Sequence, residues 1–157
     1  VWLGLTRSRV YGPFMFAEKT VTGNTYLDML EQFLEPQLIS DDIMDTVVFQ
    51  QDGAPPHFAI TVRDYLTQAF PGRWISRAAP MMWPPRSPDL TPLDFFAWGF
   101  IKSKVYQVKI NNIQQLKQRI RAAAAEITPA MLQKVFRSVE ERWSLCLDVQ
   151  GGHIEMH

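Results

Sequence analysis

Among its 157 residues the chain has a single cysteine, Cys146. An internal disulfide and a cysteine-rich zinc site are therefore both excluded, which suits a reducing compartment. Net charge is absent as well: sixteen Lys and Arg balance sixteen Asp and Glu, so the molecule as a whole has no pull toward DNA, RNA or anionic lipid. No apolar run approaches the roughly eighteen residues of a bilayer crossing, and the start lacks a basic region followed by an apolar stretch and a cleavage site. No membrane partner is expected. Repeats and flexible linkers are missing too, and an apolar content of 46% with 12% aromatic residues excludes disorder for most of the chain.

What is present is unevenly placed. From Glu18 to Asp52 there are eight acidic residues and one basic one, Lys19, whereas Phe95 to Ala125 holds six basic residues and no acid. Ten Phe and five Trp supply core volume, and at this length folding buries roughly two thirds of the chain surface. Val1 to Leu5 and Pro13 to Ala17 read as neighbouring antiparallel strands. Because the first is apolar from its first residue, an upstream neighbour is expected, and the chain reads as a piece of a larger protein.

Thr25 can cap a helix that carries Tyr26, Leu30, Phe33, Leu34 and Leu38 at helical spacing before Pro36 and the Asp41-Asp42 loop. Thr46 to Gln50 is short and β-branched, hence a strand, and it delivers Asp52 at its end before the turn pair Asp52-Gly53 and Pro55-Pro56. A helix faced by Phe58, Val62, Tyr65, Leu66 and Ala69 follows, then a strand over Arg73 to Arg77. Strand, helix, strand makes a βαβ unit with a parallel pair. Trp83 to Asp89 is too proline-rich for regular structure. Thr91-Pro92-Leu93-Asp94 opens a helix through Phe95, Phe96, Trp98 and Ile101. Ile113, Leu116 and Ile120 mark another helix, and Thr128-Pro129 opens the last, with Leu132, Val135, Phe136, Val139 and Trp143 inward. Residues 1–150 thus form one α/β domain, with 151–157 a loose tail.

Two carboxylates sit at element ends beside residues that fix the backbone. Asp52 closes a strand, and Asp94 lies in the first turn of a helix. Carboxylates so placed can share Mg²⁺, which rests on one or two protein carboxylates plus substrate phosphate. Two such ions about 3.5 to 4 Å apart serve phosphoryl displacement, as in nuclease or strand-transfer chemistry. Taken singly, each acid is also accounted for by structure, Asp52 as a turn residue and Asp94 as a partner of the helix dipole. His57 can approach a metal or phosphate, or simply fill a loop. The basic run from Lys102 to Arg121 can track a phosphate backbone or form a solvated face.

Gln51-Asp52-Gly53-Ala54-Pro55-Pro56-His57, followed by Trp83 to Phe96 with its Ser87-Pro88-Asp89-Leu90-Thr91-Pro92-Leu93-Asp94 run, resembles the mariner-type transposases. The resemblance extends to Gly12-Pro13-Phe14, Val21-Thr22-Gly23, Tyr26-Leu27 and Trp98-Gly99 through Val105-Tyr106. It implies a ribonuclease H-like mixed sheet flanked by helices, with the amino-terminal strand missing, and DNA cleavage and strand transfer at a two-metal Mg²⁺ or Mn²⁺ site. Asp52 then matches the second catalytic acid and Asp94 the third, with 41 residues between them, both serving as metal ligands. His57, Arg86, Lys102, Lys104 and Arg121 are assigned to nucleic-acid contact. The partner implied is DNA in a nuclear setting, with a homodimer left open. Members of the family carry a first catalytic aspartate upstream, and here no acid precedes Glu18. The isolated chain is therefore expected to be inactive: a missing carboxylate contributing about 4 kcal/mol slows the reaction roughly a thousandfold. The rival reading is a non-enzymatic remnant of a transposable element that binds nucleic acid or protein.

Overall fold

The computed structural model describes residues 1–52, 54–76, 81–82 and 91–148, with the side chains of 81–82, 94–95 and 142–148 outside that description. The chain divides into two compact units, Phe16–Arg86 on the one hand and Val1–Met15 with Ser87–His157 on the other. Both mix strands and helices. No helix among the described residues is long and apolar enough to cross a membrane.

In the unit containing both described chain ends, β1 (Trp2–Leu5) pairs antiparallel with β2 (Val10–Phe14). The expected hairpin is present, with its second strand starting earlier than the apolar run suggested. Trp2 pairs with Phe14 but Gly4 with Tyr11, so β2 carries one extra residue at Gly12-Pro13. Gly12 has φ +107, and a Cβ there would lie 3.0 Å from the Trp2 carbonyl oxygen. Glycine alone meets both demands of this bulge. Leu3 is buried with Ala97, Ile101 and Val105 of α4 (Trp98–Val105) and the turn before it, and with Ala123 and Ala124 of α5 (Ile113–Ala125). Asn112 caps α5 by accepting from the Gln115 N–H at 2.8 Å. Thr128 does the same for α6 (Pro129–Asp148) through the Met131 N–H, and Leu132, Val135 and Val139 are buried as their spacing requires.

The second unit begins with α1 (Gly23–Met29), a π-turn over Leu30–Leu34, and α2 (Glu35–Ser40), which run on as one helix. Its cap is Thr22, three residues before the predicted one. Thr25 occupies the third helical position, and its hydroxyl accepts the Thr22 N–H at 2.8 Å while the Thr22 hydroxyl accepts the Thr25 N–H. This is a capping box in which threonine takes the usual place of glutamate. The helix also passes through Pro36 to carry Leu38 and ends at the Asp41-Asp42 loop, as expected. The π-turn is the reason for its reach. Twelve residues at about 100° each would leave Tyr26 and Leu38 about 120° apart on a regular helix, whereas one extra residue taken up by the wide turn brings them within about 20°. Both are buried.

β3 (Phe49–Gln50), α3 (Ile60–Ala69) and β4 (Trp74–Ser76) form the expected βαβ unit, with Phe49 opposite Trp74 in parallel register. β3 is shorter than the β-branched run Thr46 to Gln50. The Thr46 and Val47 N–H groups donate back to the Ile43 carbonyl, and the Arg73 guanidinium takes the Met44 and Val47 carbonyls at 3.2 and 2.6 Å. These groups are used in a turn rather than a ladder. A strand that the pattern did not indicate, β5 (Met81–Met82), adds parallel to β4. The proline-rich loop over Trp83 to Asp89 and the tail 151–157 lie outside the described residues.

Candidate active site

Asp52 stands just beyond the sheet. Gln51 makes the last ladder bond, its N–H donating to the Ile75 carbonyl at 3.0 Å, and the chain then turns away. The Ala54 N–H donates to Asp52 Oδ1 at 3.0 Å, a side-chain-closed turn. Pro55 and Pro56 open a 3₁₀ turn, Pro55–Phe58, where their missing N–H groups cost no bond. That turn carries His57 back toward the aspartate. Its Nδ1 lies 2.8 Å from Asp52 Oδ1 and 3.1 Å from the Asp52 carbonyl oxygen. Both neighbours are acceptors, so Nδ1 bears the proton.

Beneath this pair lies a buried polar network. The Tyr26 hydroxyl donates to Gln51 Oε1 at 2.8 Å, and Gln51 Nε2 donates to the His57 carbonyl at 3.3 Å and to Ser76 Oγ at 3.4 Å. The Tyr26 and His57 rings stack with centroids 4.2 Å apart. Gln51 and Ser76 are both buried. Nothing in the sequence reading singled out Tyr26, Gln51 or Ser76 as site residues. A signal existed in the two-residue period of strands: Phe49 and Gln51 share a face, as do Trp74 and Ser76, so each apolar core position is followed on its face by a polar one. Close approach of the elements also has a backbone condition. A Cβ on Gly23, at the start of α1, would come within 2.4 Å of the Ala59 Cβ, two residues past His57.

The hydrogen bond from His57 holds the Asp52 carboxyl below its ordinary value; partial desolvation opposes this, and the Ala54 N–H and the charge on His57 add to the lowering. A depressed carboxylate stabilises the fold above its unfolded value, near pH 4, and that contribution disappears as pH falls through the folded value. Comparing wild type with Asp52→Asn in urea unfolding between about pH 6 and 3 is therefore expected to show the gap closing toward acid. The effect is small, since the Asp52 side chain is 71% exposed and solvent screens the pair. A gap that widens toward acid contradicts the assignment.

Asp94 falls in the π-turn Leu93–Ala97 that leads into α4; its side chain, like Arg86 as a whole, lies outside the described residues. Lys102 and Arg121 are exposed on α4 and α5. Lys104 is half-buried, its ammonium 5.6 Å from the Phe100 ring centroid and its carbonyl accepting from Arg119 at 2.8 Å. With Gln107, Arg119 and Glu126, Lys104 lines a groove of about 290 Å³. Among the described residues no group of three His, Cys, Asp or Glu is placed to hold a metal.

No family model matches the chain. It is 29% identical over 156 residues to the Tc3 transposase of Caenorhabditis elegans, covering 98% of this chain and 44% of that protein. To the Tcb1 transposase of Caenorhabditis briggsae it is 26% identical over 151 residues, covering 96% of this chain and 52% of the other. The chain thus spans about half the length of the curated relatives it matches. Among solved structures, the Mos1 transposase catalytic domain with raltegravir and Mn superposes at a TM-score of 0.77 with 20% identity, over 98% of this chain and 76% of that one. A Mos1 paired-end complex with the left transposon end gives a TM-score of 0.77 at 22% identity, over 98% and 44%. The fold is accordingly that of a ribonuclease H-like transposase catalytic domain. In sequence the chain is homologous to the Tc1/mariner transposases.

Proposed function

We propose that the chain forms part of the catalytic domain of a Tc1/mariner-type transposase, in which Asp52 and Asp94 are metal-binding acids for DNA cleavage and strand transfer. The observation that carries this reading is the anchored carboxylate. Asp52 stands past the carboxyl end of a parallel strand, where ligands of open α/β sheets gather. Its Oδ1 is fixed by two nitrogen donors, and the side chain is open to solvent.

A hard divalent cation suits this donor set. Mg²⁺ needs only one or two protein carboxylates when water and substrate phosphate complete its shell, and Mn²⁺ accepts the same oxygen ligands. Asp52 and Asp94 are the residues that would hold it. When bound, such ions activate an attacking oxygen and neutralise charge on the leaving one in an in-line displacement. The chain's own groups do the rest. Asp52 stays ionised because its hydrogen bonds favour the charged form, and Lys102, Lys104 and Arg121 contribute phosphate contacts that position DNA without reading its sequence. The Mos1 catalytic domain has been solved with Mn and with Mg, which supports a divalent ion here. The Mos1 paired-end and strand-transfer complexes support DNA as partner, and the pairing of ends supports a second copy of the chain.

Iron-directed cleavage tests the ligand assignment. Fe²⁺ placed at a Mg²⁺ site, with ascorbate and peroxide, produces hydroxyl radical that cuts the nearby backbone. Cuts beside both Asp52 and Asp94, suppressed by excess Mg²⁺, are expected. Cuts at only one of them, or cuts that Mg²⁺ does not suppress, overturn the assignment.

A further inference from the structure

We infer that His57, seated by Tyr26 and Gln51, is a positioning residue that turns the Asp52 carboxylate so that one oxygen is held by the protein and the other is left for a divalent ion. The inference rests on the proposed function, and it gives His57 a role other than the nucleic-acid contact expected of it from the sequence, with Tyr26 and Gln51 in support. Its basis is geometric. An exposed aspartate past the end of a strand has free rotation about two side-chain bonds, yet here Oδ1 is engaged from two directions, by Ala54 N at 3.0 Å and His57 Nδ1 at 2.8 Å. No hydrogen bond among the described residues engages Oδ2. Two donors on one oxygen fix the plane of the carboxylate and polarise it, as outer partners of metal ligands do.

The His57 ring cannot easily leave that place. One face stacks on Tyr26, its carbonyl is tied to Gln51 Nε2, and its own N–H donates to the Ala54 carbonyl at 2.9 Å. The side chain is 15% exposed. Gln51 in turn is bound from α1 by Tyr26 and from β4 by Ser76. An apolar side chain at position 51 would fill this interior without the demand for three matched partners. The amide serves orientation: four elements converge to hold one imidazole, and the imidazole holds one carboxylate oxygen.

The test separates donation from packing. Mn²⁺ is titrated into the chain and followed by water proton relaxation, with thermal unfolding measured on each variant. His57→Phe keeps a ring against Tyr26 but has no donor, and about a tenfold loss of Mn²⁺ affinity is expected with the melting temperature little changed. His57→Asn places an amide N–H where Nδ1 stood and is expected to regain most of the affinity. Tyr26→Phe, which keeps the stack and removes the donor to Gln51, is expected to lose a smaller part. If His57→Phe binds Mn²⁺ as wild type does while Asp52→Asn is impaired, the positioning role is wrong and the proposed function stands. If affinity follows the melting temperature across the set and His57→Asn restores nothing, His57 is a packing residue. If Asp52→Asn itself leaves affinity unchanged, both readings fall.

Discussion

Asp52→Asn is expected to lower Mn²⁺ affinity by about a hundredfold, at the upper end of the 10- to 100-fold that loss of an outer partner costs, because here a ligand itself is changed. The substitution is nearly isosteric. It keeps an oxygen that can accept from Ala54 and His57 and removes only the charge, so the fold should tolerate it. Control substitutions Asp28→Asn and Asp45→Asn, at acids outside the strand-end motif, should leave binding untouched. The pH dependence has a determined sign. Since hydrogen bonding holds the Asp52 carboxyl below the ordinary carboxylate range, affinity should stay level through weak acid and fall only below about pH 4. Retention of full affinity in Asp52→Asn would remove the site from this end of β3.

The second large effect concerns what holds β3 in place. Phe70→Ala is expected to cost about 3 to 5 kcal/mol, read from urea or guanidinium unfolding. Phe70 is 1% exposed, its ring stacks on Phe49 at 5.3 Å, and the Arg73 guanidinium lies 5.7 Å above it. Phe49 is the first of only two residues in β3. Removing its stacking partner therefore opens a cavity directly behind the strand that leads to Gln51 and Asp52. A loss of that size is a large part of the 5 to 15 kcal/mol that usually separates folded from unfolded domains. Phe70→Leu, which refills most of the volume, should recover more than half of it. A cost under about 1 kcal/mol for the alanine variant would show that the wall behind β3 collapses without penalty.

Elements built on short-range chemistry were legible in the sequence. The hairpin, the βαβ unit, the helix opening at Thr91-Pro92 and the cap at Thr128 all follow from residues within a few positions of one another. Most of what was not legible depends on partners far along the chain, the cap at Thr22 being a local exception. Arg73 shortens β3 by taking carbonyls 26 and 29 residues earlier, and no local pattern contains that competition. Thr22 displaces Thr25 as cap because two threonines can close a box that pattern reading seeks with an acid. At the site, Asp52 could be named from its place at a strand end and from the motif around it. Tyr26 and Ser76 each lie 25 residues from Gln51, so the network supporting the carboxylate emerges only when helix and strands are assembled. His57 was visible as a residue but not as a donor, since its direction is set by the Tyr26 ring it rests on.

The wide turn between α1 and α2 bears on how such a chain can vary. Upstream of it lies Tyr26, which reaches the strand-end network, and downstream lies Leu38, which serves the apolar interior. Loss of a single residue between them would restore regular winding and still leave the positions of Tyr26 and Leu38 within about 20° of each other. Regular winding at the present length would instead turn the downstream side chains about a third of a revolution away from the interior. The wide turn is thus the one place where this helix can lose a residue without turning either half away from what it packs on.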